Sequence, residues 1–211
     1  MKVYTYNDKV LVNSANDKWL KEKEAGPLEL PGWTIRIKVT TGSSTPSIGG
    51  ATVTAVEGQA DVYDICTEGA RGSIWGGMFG PSLIEVLGAN VWDSTHTYVA
   101  SINGVFSNCT NLTNVALFDT SSVTNMDEMF YGCASLTSIP LFDTSNVTSM
   151  NGTFIGCTNV ESGALALYQQ ASTQTTPPSS HTNTFNNCGS NTVTGAAELA
   201  QIPSSWGGTA T

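Results

Sequence analysis

The chain has 211 residues, a formal net charge of −9 and only 12% charged residues. This length allows one sizeable hydrophobic core or two small ones. All eight lysines and arginines lie within residues 2–71, so residues 72–211 carry eight acidic residues and no basic one. A segment without cations cannot neutralise phosphate groups, which argues against nucleic-acid binding, and anionic membranes repel it.

Residues 1–30 are predicted to be an anchoring segment formed by a hairpin and a short helix. Apolar and polar residues alternate over 2–6 and 9–12, and Asn7-Asp8 between them is typical of a turn. The helix is predicted over residues 16–24, where Gly26-Pro27 ends it. The N-terminal run MKVYTYNDKVLV lacks an apolar stretch of signal-peptide length, and no stretch of the chain is long enough to span a bilayer.

Residues 31–71 are predicted to form a small β unit. Trp33 to Thr41 alternates apolar residues with arginine and lysine, which indicates a strand with one buried face. Further strands are predicted over 51–56 and 60–65. Because the open end of a repeat array exposes apolar side chains and strand edges, we expect this unit to cap the repeats that follow.

A 24-residue repeat dominates residues 72–160. Phe106, Phe130 and Phe154 are 24 residues apart, and Cys109, Cys133 and Cys157 keep the same spacing. A segment of this length cannot bury its apolar face alone and must stack on a neighbour, which predicts a solenoid. The residues predicted to form its core are Phe106, Cys109, Leu112, Phe118, Met126, Phe130, Cys133, Leu136, Phe142, Met150, Phe154 and Cys157.

Residues 161–211 are predicted to be an atypical terminal repeat and C-terminal cap. Phe185 and Cys188 restore the aromatic and cysteine pair, but 31 residues after the preceding pair. The segments 164–171 and 196–202 have the composition of helices, and Pro203 ends the second. A terminal repeat that departs from the pattern is expected where an array ends.

Four of the five cysteines, Cys109, Cys133, Cys157 and Cys188, occupy equivalent repeat positions. Stacked segments about 4.8 Å apart leave disulfides geometrically open, yet a column of buried, reduced thiols is the favoured interpretation. No CxxC pair or Cys/His cluster occurs in the sequence, so we expect no metal site.

The sequence predicts no catalytic and no cofactor-binding residues. His96 and His181 have no nucleophile or carboxylate at a catalytic spacing. Asp93, Asp119 and Asp143 either share a cation or act as paired carboxylates, or each caps its own turn in the Asp-Thr-Ser sequence, and the capping interpretation is favoured.

The run MFYGCASLTSIPLFDTSNVTSM at residues 129–150 resembles the repeat of BspA-like leucine-rich-repeat surface proteins. The order of segments, with VYTYNDKVLV, WTIRIKV and LIEVLGANV before the repeats, is similar to short BspA-like proteins encoded by tailed phages and prophages of gut bacteria. The resemblance implies a mainly β, leucine-rich-repeat-type solenoid with short helices, surface display and adhesion. It implies no enzymatic activity.

We therefore expect a structural or adhesion protein of a phage virion, as a head-fibre, tail-fibre or decoration component. It would dock on other virion proteins through its N-terminal region and display its repeats to a host surface protein or glycan. A homo-oligomer, taken as a trimer, is expected, without membrane insertion. The residues predicted to anchor it are Tyr4, Tyr6, Val10, Trp19 and Leu20.

Two other functions stay open on the sequence. The first is a bacterial cell-surface adhesin of the BspA-like type, which would place the protein on the cell rather than on the virion made in the host cytoplasm. The second is an enzyme acting on surface glycans, which needs carboxylates converging in a cleft. The repeats offer carboxylates only at spaced positions.

Overall fold

A computed structural model describes residues 2–6, 9–13, 19–24, 33–46, 52–66, 79–91 and 101–210. The first three of these segments form an antiparallel three-stranded sheet of β1 (Lys2–Tyr6), β2 (Lys9–Asn13) and β3 (Trp19–Glu24). The predicted hairpin is therefore confirmed.

The short helix predicted over residues 16–24 is wrong, because Trp19–Glu24 is strand β3 and pairs with β2 from Lys9 to Asn13. A helix of this length is marginal in water unless it packs on a partner. Pairing with the hairpin gives the same backbone groups hydrogen-bond partners. Residues 16–18 lie outside the described residues.

A mixed five-stranded sheet follows, with strand order β5-β6-β4-β7-β8. Only β7 and β8 are parallel, and the other neighbours are antiparallel. The strand predictions for residues 33–41, 51–56 and 60–65 are confirmed within one to two residues at each end. The strands are β4 (Trp33–Val39), β5 (Thr52–Ala55), β6 (Val62–Cys66), β7 (Leu83–Val91) and β8 (Asn114–Val115).

The central strand β4 buries apolar side chains on one face and an arginine on the other. Ile35, Ile37 and Val39 belong to the core, while Arg36 on the opposite face is only 5% exposed. Arg36 lies directly opposite Asp64 of β6, and its Nε and Nη2 donate to the two carboxylate oxygens at 2.6 and 2.7 Å. A bidentate pair of this kind satisfies the charge that the strand buries.

The 24-residue repeats stack side by side, and parallel bridges join Ser101 to Asn125, Asn125 to Ser149 and Ser149 to Ser180. We define four units by these residues: unit 1 is 101–124, unit 2 is 125–148, unit 3 is 149–179 and unit 4 begins at Ser180. Strand β7 adjoins unit 1, since the N–H of Thr113 donates to the carbonyl of Ile84 at 2.8 Å.

The predicted fold class, a mainly β leucine-rich-repeat-type solenoid with 24-residue coils, is wrong. Within residues 101–210 the regular strands are limited to the two-residue β8, which is an edge strand of the five-stranded sheet, and the other four strands of that sheet precede the units. In unit 2, Ser138 forms an isolated bridge with Ser162, and residues 127–132 form turns. The units break into turns because left-handed residues recur inside them, as at Gly104 and Asn108.

Two short helices complete the C-terminal part, α1 (Ala164–Thr173) and α2 (Val193–Leu199). They confirm the two predicted helices, although α2 begins and ends three residues earlier than predicted and ends at Leu199 rather than at Pro203. One hydrophobic core joins the sheet, the units and the helices, from Ile35 in β4 to Trp206 near the C-terminus. The domain boundaries at residues 30, 71 and 160 stay predictions. Strand β4, which lies before the boundary at residue 71, pairs with β7, which lies after it.

Candidate functional site

The side chains predicted as the repeat core all lie inside the stacked units. None is more than 8% exposed, and they are Phe106, Cys109, Leu112, Phe118, Met126, Phe130, Cys133, Leu136, Phe142, Met150, Phe154 and Cys157. Because these positions hold the units together, contacts with other molecules fall to the outward side chains.

An aromatic column runs through the middle of the units. The rings of Phe106, Phe130, Phe154 and Phe185 stack with centroid distances of 5.2, 5.4 and 5.7 Å along the column. Trp206 lies beyond Phe185 at 6.5 Å. Stacked rings of this kind bury large apolar areas and fix the register of one unit on the next.

A column of free, buried thiols runs through the same core, formed by Cys109, Cys133, Cys157 and Cys188. The Sγ of Cys133 donates to the carbonyl of Phe106, and the Sγ of Cys157 donates to the carbonyl of Phe130, both at 3.1 Å. The prediction of reduced, buried cysteines is confirmed for these four residues.

Burial raises the pKa of Cys109 and of Cys188 to about 12, with the carboxylate of Glu198 as a smaller cause at Cys188. Burial also raises the pKa of Cys133 and Cys157, and neighbouring cysteines add to the effect. Since only the thiolate is a strong nucleophile, these thiols are unreactive at neutral pH.

The thiols should make the fold sensitive to alkali. Their pKa is about 9.0 unfolded and about 12 folded for Cys109 and Cys188, so their contribution to stability is complete below pH 9 and is lost as the pH rises towards 12. At pH 10 each such thiol should lower the free energy of unfolding by roughly 1 kcal/mol. Urea unfolding at pH 8 and pH 10 measures this loss. The Cys188→Ala variant should lose less stability between the two pH values than the unchanged chain, and equal losses would contradict the assignment.

A polar column links units 2, 3 and 4 at one corner. The Oδ1 of Asp127 accepts from the N–H of Asn151 at 2.7 Å and from the hydroxyl of Ser149 at 2.6 Å. One unit further, the Oδ1 of Asn151 accepts from the N–H of Thr182 and from the hydroxyl of Ser180, both at 2.9 Å. These side chains are committed to bonds between units, so the column is structural.

A second corner combines a left-handed backbone position with exposed acidic and aromatic side chains. Gly104, Glu128, Gly152 and Asn183 occupy one left-handed position in successive units. Glycine and asparagine tolerate this conformation, whereas a glutamate there costs about 1 kcal/mol. The Glu128 side chain and the Tyr131 ring three residues later are both exposed, and the N–H of Tyr131 donates to the carbonyl of Glu128 at 3.0 Å. A carboxylate and an aromatic ring therefore face solvent together.

A third outward region consists of two leucines and two aspartates, which we call the leucine–aspartate face (Leu117, Leu141, Asp119 and Asp143). Leu117 is 63% and Leu141 52% exposed, and both aspartates are exposed. The neighbouring residues Phe118, Thr120, Phe142 and Thr144 are buried, so each segment alternates outward and inward like an extended strand.

The two segments of this face are neighbours. The rings of Phe118 and Phe142 are 5.3 Å apart, and the hydroxyl of Thr120 donates to the carbonyl of Asp143 at 2.9 Å. Leu117 and Asp119 of unit 1 therefore lie beside Leu141 and Asp143 of unit 2.

Helix α1 borders the face where unit 3 departs from the repeat. The Nε2 of Gln170 donates to the carbonyl of Phe142 at 2.6 Å, and the Nε2 of Gln174 donates to the carbonyl of Thr144 at 3.0 Å. These two side-chain amides donate to carbonyls of unit 2 in place of a third extended segment. The leucine–aspartate face therefore consists of two segments.

The aspartates of this face each cap their own turn. The Oδ1 of Asp119 accepts from the N–H of Ser121 at 2.9 Å, and the Oδ1 of Asp143 accepts from the N–H of Ser145 at 2.8 Å. The favoured sequence interpretation is confirmed for both residues, and Asp93 lies outside the described residues. Each of these bonds uses the Oδ1 atom, and both carboxylates are exposed at the surface.

His181 and the C-terminal helices lie at the end of the stacked units. The His181 ring stacks on Trp206 with centroids 4.1 Å apart, and its Nδ1 lies 3.3 Å from the carbonyl oxygen of Ser205. The Glu198 carboxylate accepts from the N–H of Leu165 at 3.0 Å at the start of α1. His181 therefore has a packing role, while His96 lies outside the described residues.

The five residues predicted to anchor the chain belong to the first sheet. Tyr4 and Tyr6 are in β1, Val10 is in β2, and Trp19 and Leu20 are in β3. The structure describes the backbone of these strands, and the surroundings of the side chains lie outside its description. The anchoring role stays a prediction.

Across the described residues, histidine, cysteine and acidic side chains nowhere gather in threes in a way that could hold a metal ion. Among the helices that the structure describes, none has the length and apolar character needed to cross a membrane.

The sequence interpretation missed the outward residues that stand out in the structure. Leu117 and Leu141 precede the phenylalanine of the Phe-Asp-Thr-Ser motif in both clean copies, and this shared phase was the available signal. In an extended segment the neighbours of a buried phenylalanine point outward. Glu128 could have been found by aligning the copies, because it stands where the neighbouring copies have glycine.

The profile of a family described as "Mycoplasma protein of unknown function, DUF285" matches residues 88–194, which is just over half of the chain. The match covers part of β7, units 1 to 3 and the start of α2, and it is consistent with the resemblance to BspA-like repeat proteins. Neither a curated protein nor a solved structure matches the chain.

Proposed function

This chain belongs to the family of Mycoplasma proteins of unknown function, DUF285, and we propose that it is a non-enzymatic display and adhesion protein of a phage virion. In this proposal residues 1–30 dock on the particle, and the outer sides of the repeat units contact a host surface protein or glycan. The protein is then a head-fibre, tail-fibre or decoration component.

The separation between inward and outward side chains of the units carries the proposal. The thiols and most aromatic rings of the units are buried in shared columns. The outward side chains belong to a segment of the sequence without any lysine or arginine. Stacked units present similar groups at about one strand spacing, which favours contacts made at several points with a repetitive ligand.

The corner with Glu128 and Tyr131 fits a glycan ligand in particular. An exposed aromatic ring can cover the apolar side of a sugar, while a carboxylate accepts hydrogen bonds from its hydroxyl groups. Both side chains lie on the same unit, in unit 2.

A bacterial cell-surface adhesin is the second candidate, and the family description favours it. That description names a cellular bacterium, and the family match is compatible with a cell-surface location. The outward surface would serve the same purpose in both cases, and only the object that carries the protein differs.

Fractionation of an infected or induced culture tests the proposal. On the virion hypothesis, mass spectrometry should find the chain in density-purified particles, together with capsid proteins, and protease treatment of intact particles should remove it. A host cytosolic protein serves as the contamination control. Recovery from the host envelope, with none in particles, would favour the adhesin, and recovery from the cytosol alone would contradict both.

A further inference from the structure

Exposed large apolar side chains are few in the described residues, and two of them share one face. Leu117, Tyr131, Leu141 and Val193 are the large apolar residues that remain exposed in this part of the chain. Leu117 and Leu141 lie on neighbouring segments of the leucine–aspartate face, whereas Val193 stands apart at the start of α2. Two adjacent exposed leucines form the apolar centre that an interface needs.

The charge around these leucines restricts what can cover them. Asp119 and Asp143 flank them, and the described unit residues contain no lysine or arginine to pair with these carboxylates. A partner therefore has to supply apolar side chains and cations together. Like charges one rung apart repel, so a partner cation also relieves the repulsion between the two carboxylates.

The chain itself contains a segment with this composition. Residues 2–24 hold five of its eight basic residues, with tyrosine, valine, leucine and tryptophan between them. With four acidic residues, this segment has a net charge of +1, in contrast to a net charge of −8 for residues 72–211. The described parts of its backbone form the sheet β1-β2-β3.

We propose that the leucine–aspartate face binds the N-terminal segment, residues 2–24, of a second copy of this chain. Residues 2–24 cannot bind a second copy and a particle at the same time, so self-assembly through this face is an alternative to the docking role proposed for residues 1–30. Because the two surfaces are different, the contact is heterologous and closes either into a ring or into a reciprocal dimer. A ring of three agrees with the trimer expected from the sequence.

Sedimentation velocity of the full chain over a range of concentrations tests the proposal. The unchanged chain should self-associate, and the Leu117→Ser/Leu141→Ser variant should do so on the order of a hundredfold more weakly, about tenfold for each leucine. Val193→Ser is the matched control, because it removes an apolar side chain that is 89% exposed but lies off the face. It should leave association unchanged. Circular dichroism should show that both variants are folded.

Complementation tests whether the two surfaces meet each other. A second variant replaces the cations of the N-terminal segment by glutamine, at Lys2, Lys9, Lys18, Lys21 and Lys23. This variant keeps the face, and the serine variant keeps the cations, so each should be monomeric alone while an equimolar mixture forms a dimer. Raising the salt concentration should weaken that dimer, because ion pairs contribute to it.

Three results would overturn the proposal. The first is a monomeric unchanged chain, whether the face is then open, covered by the same chain's own N-terminal segment or reserved for another protein. The second is association that survives both serine substitutions. The third is a mixture of the two variants that stays monomeric, which would show that the face and the N-terminal segment do not bind one another.

Discussion

Replacing Phe130 by alanine should lower the free energy of unfolding by about 4 kcal/mol. The Phe130 ring is fully buried and lies 5.2 Å from Phe106, 5.4 Å from Phe154 and 5.9 Å from Phe142. Its removal leaves a cavity that borders units 1, 2 and 3 together, and the backbone bridges between the units limit how far the cavity can collapse. Urea unfolding followed by circular dichroism measures the loss.

Val193→Ala provides the control for this measurement. Val193 is 89% exposed, so its truncation should change the free energy of unfolding by less than about 0.5 kcal/mol. A loss below about 1 kcal/mol for Phe130→Ala would show that the aromatic column does not hold the units together.

The Gly163→Ala variant should be destabilised by about 3 kcal/mol or more. Gly163 precedes α1 with a φ of +99°, a conformation that an alanine adopts only at a cost. A Cβ at this position would also collide with the backbone carbonyl of Ile139, and a backbone atom cannot move aside as a flexible side chain can. The two costs act at the point where α1 replaces the repeat, and urea unfolding again reports their sum.

Gly58→Ala separates these two costs. Gly58 has a φ of +76°, but nothing lies within 4 Å of the Cβ that alanine would add. This variant should therefore lose only the conformational part, about 1 kcal/mol. Equal losses at Gly58 and Gly163 would contradict the steric contact with Ile139.

The repeat phase predicted which side chains are buried, but it did not predict the backbone between them. A fixed spacing of phenylalanine and cysteine identifies inward positions because every unit uses them alike. Whether an outward stretch is a strand or a turn depends on single residues such as Asn108 and Glu128, which adopt left-handed conformations. Neither a count of apolar residues nor a period contains that information, so the solenoid of regular strands was the wrong expectation.

The two helices show which features can be predicted from local sequence. Composition placed α1 correctly, whereas α2 begins at Val193 because Thr192 caps it: the Thr192 hydroxyl accepts from the N–H of Gly195 at 3.0 Å. A threonine before a helical run is a capping signal that the sequence displays. For β3, by contrast, the decisive factor is pairing with a strand elsewhere in the chain, and no local pattern reports it.

The candidate site could be predicted only in part. The absence of cations from residues 72–211 was visible in the sequence and defines the charge of the outward surface. The exposure of Leu117 and Leu141 was not, because a leucine in an apolar repeat is expected to be buried until the direction of each side chain is known.

The backbone hydrogen bonds between units also determine how the protein responds to force. Hydrogen bonds such as the one from the N–H of Phe106 to the carbonyl of Met129 run from one unit to the next. A pull along the stack loads these bonds along their own direction, so the rungs open one after another rather than all together. Each 24-residue unit that opens releases about 80 Å of extended chain. Force applied across these units would therefore lengthen the chain in steps instead of separating all the units at once.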